Sequence, residues 1–160
     1  MLVAGIDPGV SPAVAFVGDG AAFAERIPQV GHLFDEKALR KVLRLHRPAC
    51  AVVELVGPMA GQGLSSTAHF MAAWGLIRGI LCGMGIRYDL VTPQVWKRDV
   101  LPPCEESDPG KRKAAQKAAA VALVARKYPG IVLVRPRCRT PDHNLAEAAC
   151  LAHWKLHGQD

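Results

Sequence analysis

Leu2-Val3-Ala4-Gly5-Ile6-Asp7-Pro8-Gly9 is an apolar run of small and branched residues halted by Asp-Pro-Gly, the pattern of a buried strand that runs into a turn. A carboxylate at the end of such a strand is costly to desolvate unless a cation meets it. Taken alone, Asp-Pro-Gly reads as a turn signal. A second acid stands in the same predicament, because Glu54 lies inside Ala51-Val52-Val53-Glu54-Leu55-Val56, another run expected to be a buried strand. Two acids in the apolar centre of a basic protein point to a metal site.

Outward from the first strand, Ala13 to Val17 and Ala21 to Ile27 read as two more strands joined by Gly18-Asp19-Gly20, a hairpin signal. Asp35 is placed to cap a helix that runs to about His46 and is stopped by Arg47-Pro48. The Glu54 strand follows, and then a glycine-rich loop, Val56 to Leu64. Ser65 or Ser66 is expected to cap a long apolar helix ending near Met84. Ile86 to Val91 reads as a strand, and Thr92-Pro93 opens a short helix carrying Trp96, Lys97 and Arg98. After a linker from Leu101 to Gly110 come an alanine-rich helix to about Tyr128, a last short strand over Ile131 to Val134, and a closing helix from about Pro141 to His157. Three antiparallel strands followed by right-handed βαβ units give an α/β fold, a mixed five-stranded sheet with helices on both faces. In that sheet the first and fourth strands lie side by side, which makes Asp7 and Glu54 neighbours.

The 160 residues fit a single domain over 1–160, and half of them are apolar, so a disordered chain is excluded. A net charge of +6 and a pI near 9.3 favour a polyanionic partner. No apolar window is long enough for a transmembrane helix, and the N-terminus enters a strand without a basic leader, so a cytoplasmic or nucleoid-associated protein is expected. The five cysteines form no C-x-x-C pair, which excludes a zinc ribbon or a thioredoxin motif. Cys50, Cys82 and Cys150 read as core thiols. A Cys150/His153/His157 metal cluster lacks a fourth ligand.

Four motifs in this order resemble the RuvC-type Holliday-junction resolvases of the RNase H-like superfamily, in particular the phage and chloroplast branch. They are Gly5-Ile6-Asp7-Pro8-Gly9; Val53-Glu54 with Gly61-Gln62-Gly63-Leu64-Ser65-Ser66; Leu90-Val91-Thr92-Pro93-Gln94-Val95-Trp96-Lys97; and Asp142-His143-Asn144-Leu145-Ala146-Glu147-Ala148. The resemblance runs nearly end to end. It implies an RNase H-like fold and phosphodiester hydrolysis assisted by two Mg²⁺ or Mn²⁺ ions per site. Asp7, Glu54 and Glu147 would be ligands, with Asp7 bridging the two ions. The closing acid is Glu147 where many bacterial relatives have Asp, and the acidic position three residues before it is Asn144 here. The fourth ligand then falls to Asp142 or His143.

Helix geometry leaves both open. With Thr140 as cap, Asp142 and Glu147 would point roughly 140° apart at about 100° per residue, whereas His143 and Glu147 would share a face. With Asp142 itself as cap, its non-helical backbone could turn the carboxylate towards Glu147. Charge favours Asp142, because a neutral imidazole offsets none of the charge of two Mg²⁺ ions. The reading leans to Asp142 as ligand with His143 beside it in the catalytic set.

Lys97, Arg98, Lys111, Arg112, Lys113 and Lys117, with Arg135, Arg137 and Arg139, read as a phosphate-tracking face for duplex arms. The loop residues Gly61, Gln62, Gly63, Ser65 and Ser66 are placed to approach the centre of a junction, where the Gln62 amide could read base edges. Phe70, Met71 and Trp74 lie on a helix apolar nearly all round, which exceeds what a core helix needs and points to a homodimer interface. The expected function is resolution of four-way junction DNA by paired nicks. Its rivals are a catalytically silent junction-binding module and an RNase H-like nuclease for flaps or RNA–DNA hybrids. Retained buried acids count against the first, and the glycine-glutamine loop and terminal motif against the second.

Overall fold

The computed structural model describes residues 1–9, 11–18, 20–31, 33–55, 57 and 63–158, the Ser66 side chain excepted. Its main sheet contains β1 (Val3–Asp7), β2 (Ala13–Gly18), β3 (Ala21–Arg26), β6 (Cys50–Glu54) and β7 (Tyr88–Val91), in the order β3-β2-β1-β6-β7. The pairs β1·β2 and β2·β3 are antiparallel, and β1·β6 and β6·β7 are parallel. The mixed five-stranded sheet expected from the sequence is therefore the one found. A two-residue ladder of β4 (Gln29–Val30) and β5 (Leu33–Phe34), too short to show a period, precedes helix α1 (Glu36–His46). Asp35 caps α1, its carboxylate accepting from the N–H groups of Lys37 and Ala38.

Alternation along the strands sorts the core into two layers. Ala4 and Ile6 of β1 and Ala51 and Val53 of β6 pack with α1 and α2 (Leu64–Gly83). Val3 of β1 and Cys50 and Val52 of β6 pack instead with α3 (Pro93–Val100), α4 (Pro109–Lys127) and α5 (His143–His157). Asp7 and Glu54 continue the second series, so both acids point to the α5 face. Helix α5 comes very close to β1: a Cβ built on Gly5 would lie 2.0 Å from the Ala148 carbonyl oxygen and 2.6 Å from the Ala152 nitrogen. Only glycine permits this contact, which sets α5 directly over the strand that ends in Asp7.

Three expectations are corrected. Residues 131–134 form no strand; Ile131 and Leu133 are buried and Val132 and Val134 exposed, so one-sided packing imitates the alternation of a strand without a ladder. Helix α2 begins at Leu64 with Gly63 as its N-cap and no side-chain cap bond, so Ser65 is already helical. Cys82 is exposed, unlike the buried Cys50 and Cys150. Among the described residues no helix is long and apolar enough to cross a membrane.

Candidate active site

Three carboxylates from three elements meet at the end of the sheet. Asp7 closes β1, is buried, and accepts from the Gly9 N–H at 3.0 Å. Ile6 pairs with Val53 across the parallel ladder, so Asp7 and Glu54 follow on adjacent strands. Glu54 accepts from the indole N–H of the fully buried Trp96 at 2.8 Å. Glu147, in the second turn of α5, pairs with the Lys97 ammonium at 3.1 Å, and that ammonium also sits 5.2 Å from the centre of the Trp96 ring. Burial, then the charges of Glu54 and Glu147, push Asp7 up to about 7, against a smaller opposing pull from the Gly9 N–H and Arg26. Burial also raises Glu54, against the Trp96 hydrogen bond and Lys97, with Glu147 adding to the rise. The three acids thus share one electrostatic site whose negative charge the protein only partly offsets.

Of the two residues considered for a fourth ligand, Asp142 is the N-cap of α5, as the second of the two geometries supposed. Its carboxylate does not turn to Glu147. Arg26 grips it with two hydrogen bonds of 2.7 Å, Arg135 approaches to 3.0 Å, and the Asn144 N–H donates at 3.1 Å. Burial opposes the charge on Asp142, but the Arg26 hydrogen bonds and charge, with the Asn144 N–H and Arg135, outweigh it and hold the carboxyl below its ordinary value. His143 is the first residue of α5 and shares a face with Glu147 four residues on. Its Nε2 lies 2.8 Å from the Lys117 ammonium. Burial and the Lys117 charge lower its pKa, against Glu147 and Asp142, so the imidazole is neutral near pH 7.

The expected DNA-contacting residues divide. Lys97 and Lys117 are half-buried and committed to Glu147 and His143. Lys97, Arg98 and Arg112 line a cleft of about 550 Å³ beside the acids, bordered by Leu101 to Cys104. Lys111 and Lys113 are exposed in the first two turns of α4, whose N-terminal end is capped by Asp108. Arg137 and Arg139 are exposed on the segment leading into α5, and Gly63 and Ser65 are exposed where α2 begins. Gly61 and Gln62, and the side chain of Ser66, lie outside the described residues. The sequence reading assigned no role to Trp96 or Arg26. Their signals were faint: an indole beside the lysine of a short helix, and an arginine ending a strand.

Among the described residues no three His, Cys, Asp or Glu side chains lie close enough together to hold an ion in this arrangement, in which Lys97 draws Glu147 and Trp96 draws Glu54. The chemistry of the set nevertheless fits a hard divalent cation: three carboxylates, one of them raised by burial and then by the charges of the other two, are the oxygen ligands such an ion takes. The Cys150/His153/His157 group forms no such cluster either.

No protein-family model and no curated protein matches the sequence. Solved structures do. RuvC of Thermus thermophilus in complex with a Holliday junction substrate aligns with a TM-score of 0.64 at 20% identity, over 95% of this chain and 90% of that one. A second Thermus thermophilus RuvC structure aligns with a TM-score of 0.58 at 19% identity, over 95% and 91%. The chain shares the fold of these RuvC structures.

Proposed function

We propose that the chain is a structure-selective, metal-dependent endodeoxyribonuclease that resolves four-way DNA junctions by paired nicks, acting as a homodimer with one site per subunit. The observation that carries this reading is the placing of Asp7, Glu54 and Glu147 on one face, where burial and then the charges of the other two acids push Asp7 up to about 7, with Lys97 leading from Glu147 to a cleft that Arg98 and Arg112 also line. Acids that repel one another are costly to keep in a basic protein unless a cation and a phosphate are to be held there. Asp7, Glu54 and Glu147 would hold two Mg²⁺ or Mn²⁺ ions, with the neutral His143 beside Glu147 as the fourth group in place of Asp142. Such ions, when bound, activate water and neutralise phosphate charge.

The chain's own cations supply the rest. The cleft residues and the exposed Lys111, Lys113, Arg137 and Arg139 hold backbone phosphates of the arms, which gives affinity without sequence information. The dimer reading rests on α2. Leu64 is 88% and Met71 41% exposed, and a groove of about 840 Å³ runs past Met71, Gly75, Leu76, Gly79 and Ile80. A twofold pair of subunits matches the two strands to be cut.

The test is incubation with labelled four-way junction, splayed arm and RNA–DNA hybrid, in Mg²⁺ or Mn²⁺. Symmetric nicks in the junction are expected. Asp7→Asn and Glu54→Gln should each lose at least ~100-fold in rate while still binding the junction. Binding without cutting would instead mark a silent junction-binding module, and preferred cutting of hybrid or flap a different RNase H-like nuclease.

A further inference from the structure

Asp142 is engaged on both oxygens. A carboxylate offers about four acceptor sites; Arg26 Nη2 and the Asn144 N–H donate to Oδ1, Arg26 Nε donates to Oδ2, and the Arg135 guanidinium pairs with Oδ2 at 3.0 Å. The side chain is 3% exposed, and the Arg26 contact is the two-pronged fork that makes arginine–carboxylate pairs strong and directional. Arg26 has no idle edge, since its Nη1 donates to the Ser11 carbonyl. Asn144 Nδ2 reaches the same carbonyl at 3.3 Å.

The connections matter more than their strength. Ser11 lies on the segment leaving Asp7, and Asp142 caps the helix that carries His143 and Glu147. Arg135 belongs to the arginine-bearing segment before that helix. Arg26 is also in register with the site: it pairs with Ala13, and Ala13 pairs with Asp7, so the two side chains occupy one row across the sheet. The Gly5 contact fixes how closely α5 approaches β1 at Ala148 and Ala152. At the N-terminal end of α5, where Leu145 and Ala146 are buried, the Arg26–Asp142 fork ties the cap to the end of β3.

We propose that Arg26 is a positioning residue that acts through Asp142, locking the first turns of α5 against the Asp7 row so that Glu147 and His143 face Asp7 and Glu54; Asp142 is the anchor of this lock and not a metal ligand. The inference rests on the nuclease reading above. A misplacement of about 1 Å at such a site is worth about 100-fold in rate, and loss of a residue that orients ligands costs about 10–100-fold in metal affinity.

The experiment uses the whole chain and compares Arg26→Ala, Arg26→Lys and Asp142→Asn with the wild type. Mn²⁺ affinity is read by calorimetry without DNA, and kcat and KM on a four-way junction well below each variant's unfolding temperature. Arg26→Ala is expected to weaken Mn²⁺ binding and to lower kcat about 100-fold with KM within about twofold. Arg26→Lys keeps the charge but loses the fork, so it should recover less than a tenth of the lost rate. Guanidinium ion at tens of millimolar should restore Arg26→Ala, whereas ammonium should not. Near-normal kcat in Arg26→Lys, or a rise in KM alone in Arg26→Ala, would make Arg26 a phosphate contact and overturn the proposal. So would an Asp142→Asn variant inactive in Mg²⁺ but restored by Mn²⁺, the mark of a direct ligand. If Arg26→Ala does not fold, Arg26→Lys and Asp142→Asn decide by the same readings. A wild type that binds Mn²⁺ and cuts, with unaffected variants, sinks the lock alone; one that neither binds nor cuts sinks the nuclease reading and the lock with it.

Discussion

Helices α5 and α2 are both long and rich in small residues, and the chain treats them in opposite ways. On α5, Ala146, Ala148, Ala149 and Ala152 are fully buried, and the backbone presses on Gly5. On α2, Ile77 and Leu81 are buried, while Gly75, Gly79 and Gly83 are exposed with nothing within 4 Å of where a Cβ would stand. Small residues let a helix approach another surface closely. For α5 that surface is the sheet, and the approach delivers Glu147 to Asp7. On α2 the face of Gly75, Gly79 and Gly83 meets nothing within 4 Å among the described residues, and in the proposed assembly it meets the second subunit.

The contrast breaks most visibly at its two glycines. Gly5→Val would drive a side chain into the Ala148 carbonyl, and neither backbone can yield without moving α5. The expected loss is about 3 kcal/mol or more in urea unfolding, with cleavage lost as well. Gly79→Leu, by contrast, adds a better helix former in open space, so the monomer should be no less stable. What should change is association: sedimentation or light scattering is expected to show at least ~10-fold weaker dimerisation, since the added side chain props the helices apart. A Gly5→Val variant of normal stability, or a Gly79→Leu variant that dimerises normally, would dissolve the distinction.

The sequence announced α5 and α2 unequally. The strands around Asp7 and Glu54 were legible as continuous apolar runs because both faces of those strands are covered within the chain, and the hairpin and the Asp35 cap are local signals. The apolar run failed over 131–134, where burial is one-sided and no strand among the described residues pairs with it. The partners of the site lay beyond local reading. Arg26 is 116 positions from Asp142, and Trp96 is 42 from Glu54. Helix geometry raised the possibility that Asp142 caps α5, but nothing near it in sequence named the arginines that claim its carboxylate. Phe70, Met71 and Trp74 of α2 gave the surplus apolar character that suggested a partner, without showing which face it uses.

The two ends of α5 should also respond oppositely to pH. Near the N-terminal end, Asp7 has a folded-state pKa raised from 3.8 to about 7, so the folded protein holds that proton more tightly than the unfolded one. Its contribution is present at low pH and is lost as pH rises from about 4 to about 7. Towards the C-terminal end, burial, then the charges of His157 and Lys127, lower His153 from 6.5 to about 4. There the unfolded chain binds the extra proton, so stability is lost as pH falls through that window. Metal-free protein should therefore lose the Asp7 contribution between about pH 4 and about pH 7. Asp7→Asn removes the ionisation and should raise the unfolding midpoint at pH 8 by several degrees, with little change at pH 4. Equal shifts at both pH values would mean that Asp7 does not carry the alkaline limb.

The smallest effect belongs to the partner of His153. The Tyr128 hydroxyl lies 2.5 Å from His153 Nδ1, and burial pushes the Tyr128 pKa up to about 12, so the phenol keeps its proton and donates it. A neutral His153 accepting at Nδ1 carries its own proton on Nε2. This bond joins α4 to α5 by neutral groups, far along the helix from the charge-paired Asp142. Tyr128→Phe deletes the donor, keeps the ring, and leaves a buried acceptor unpaired. The expected cost is about 1–2 kcal/mol in urea unfolding at pH 7. Junction cleavage below the unfolding transition should be unchanged, because α5 is held at the site by Gly5 and Asp142. The cost should persist in 0.5 M salt, which screens exposed charges but not a buried neutral bond. A fall in cleavage without a fall in stability would show that the far end of α5 also steers Glu147, and that the helix answers to Tyr128 as well as to its cap.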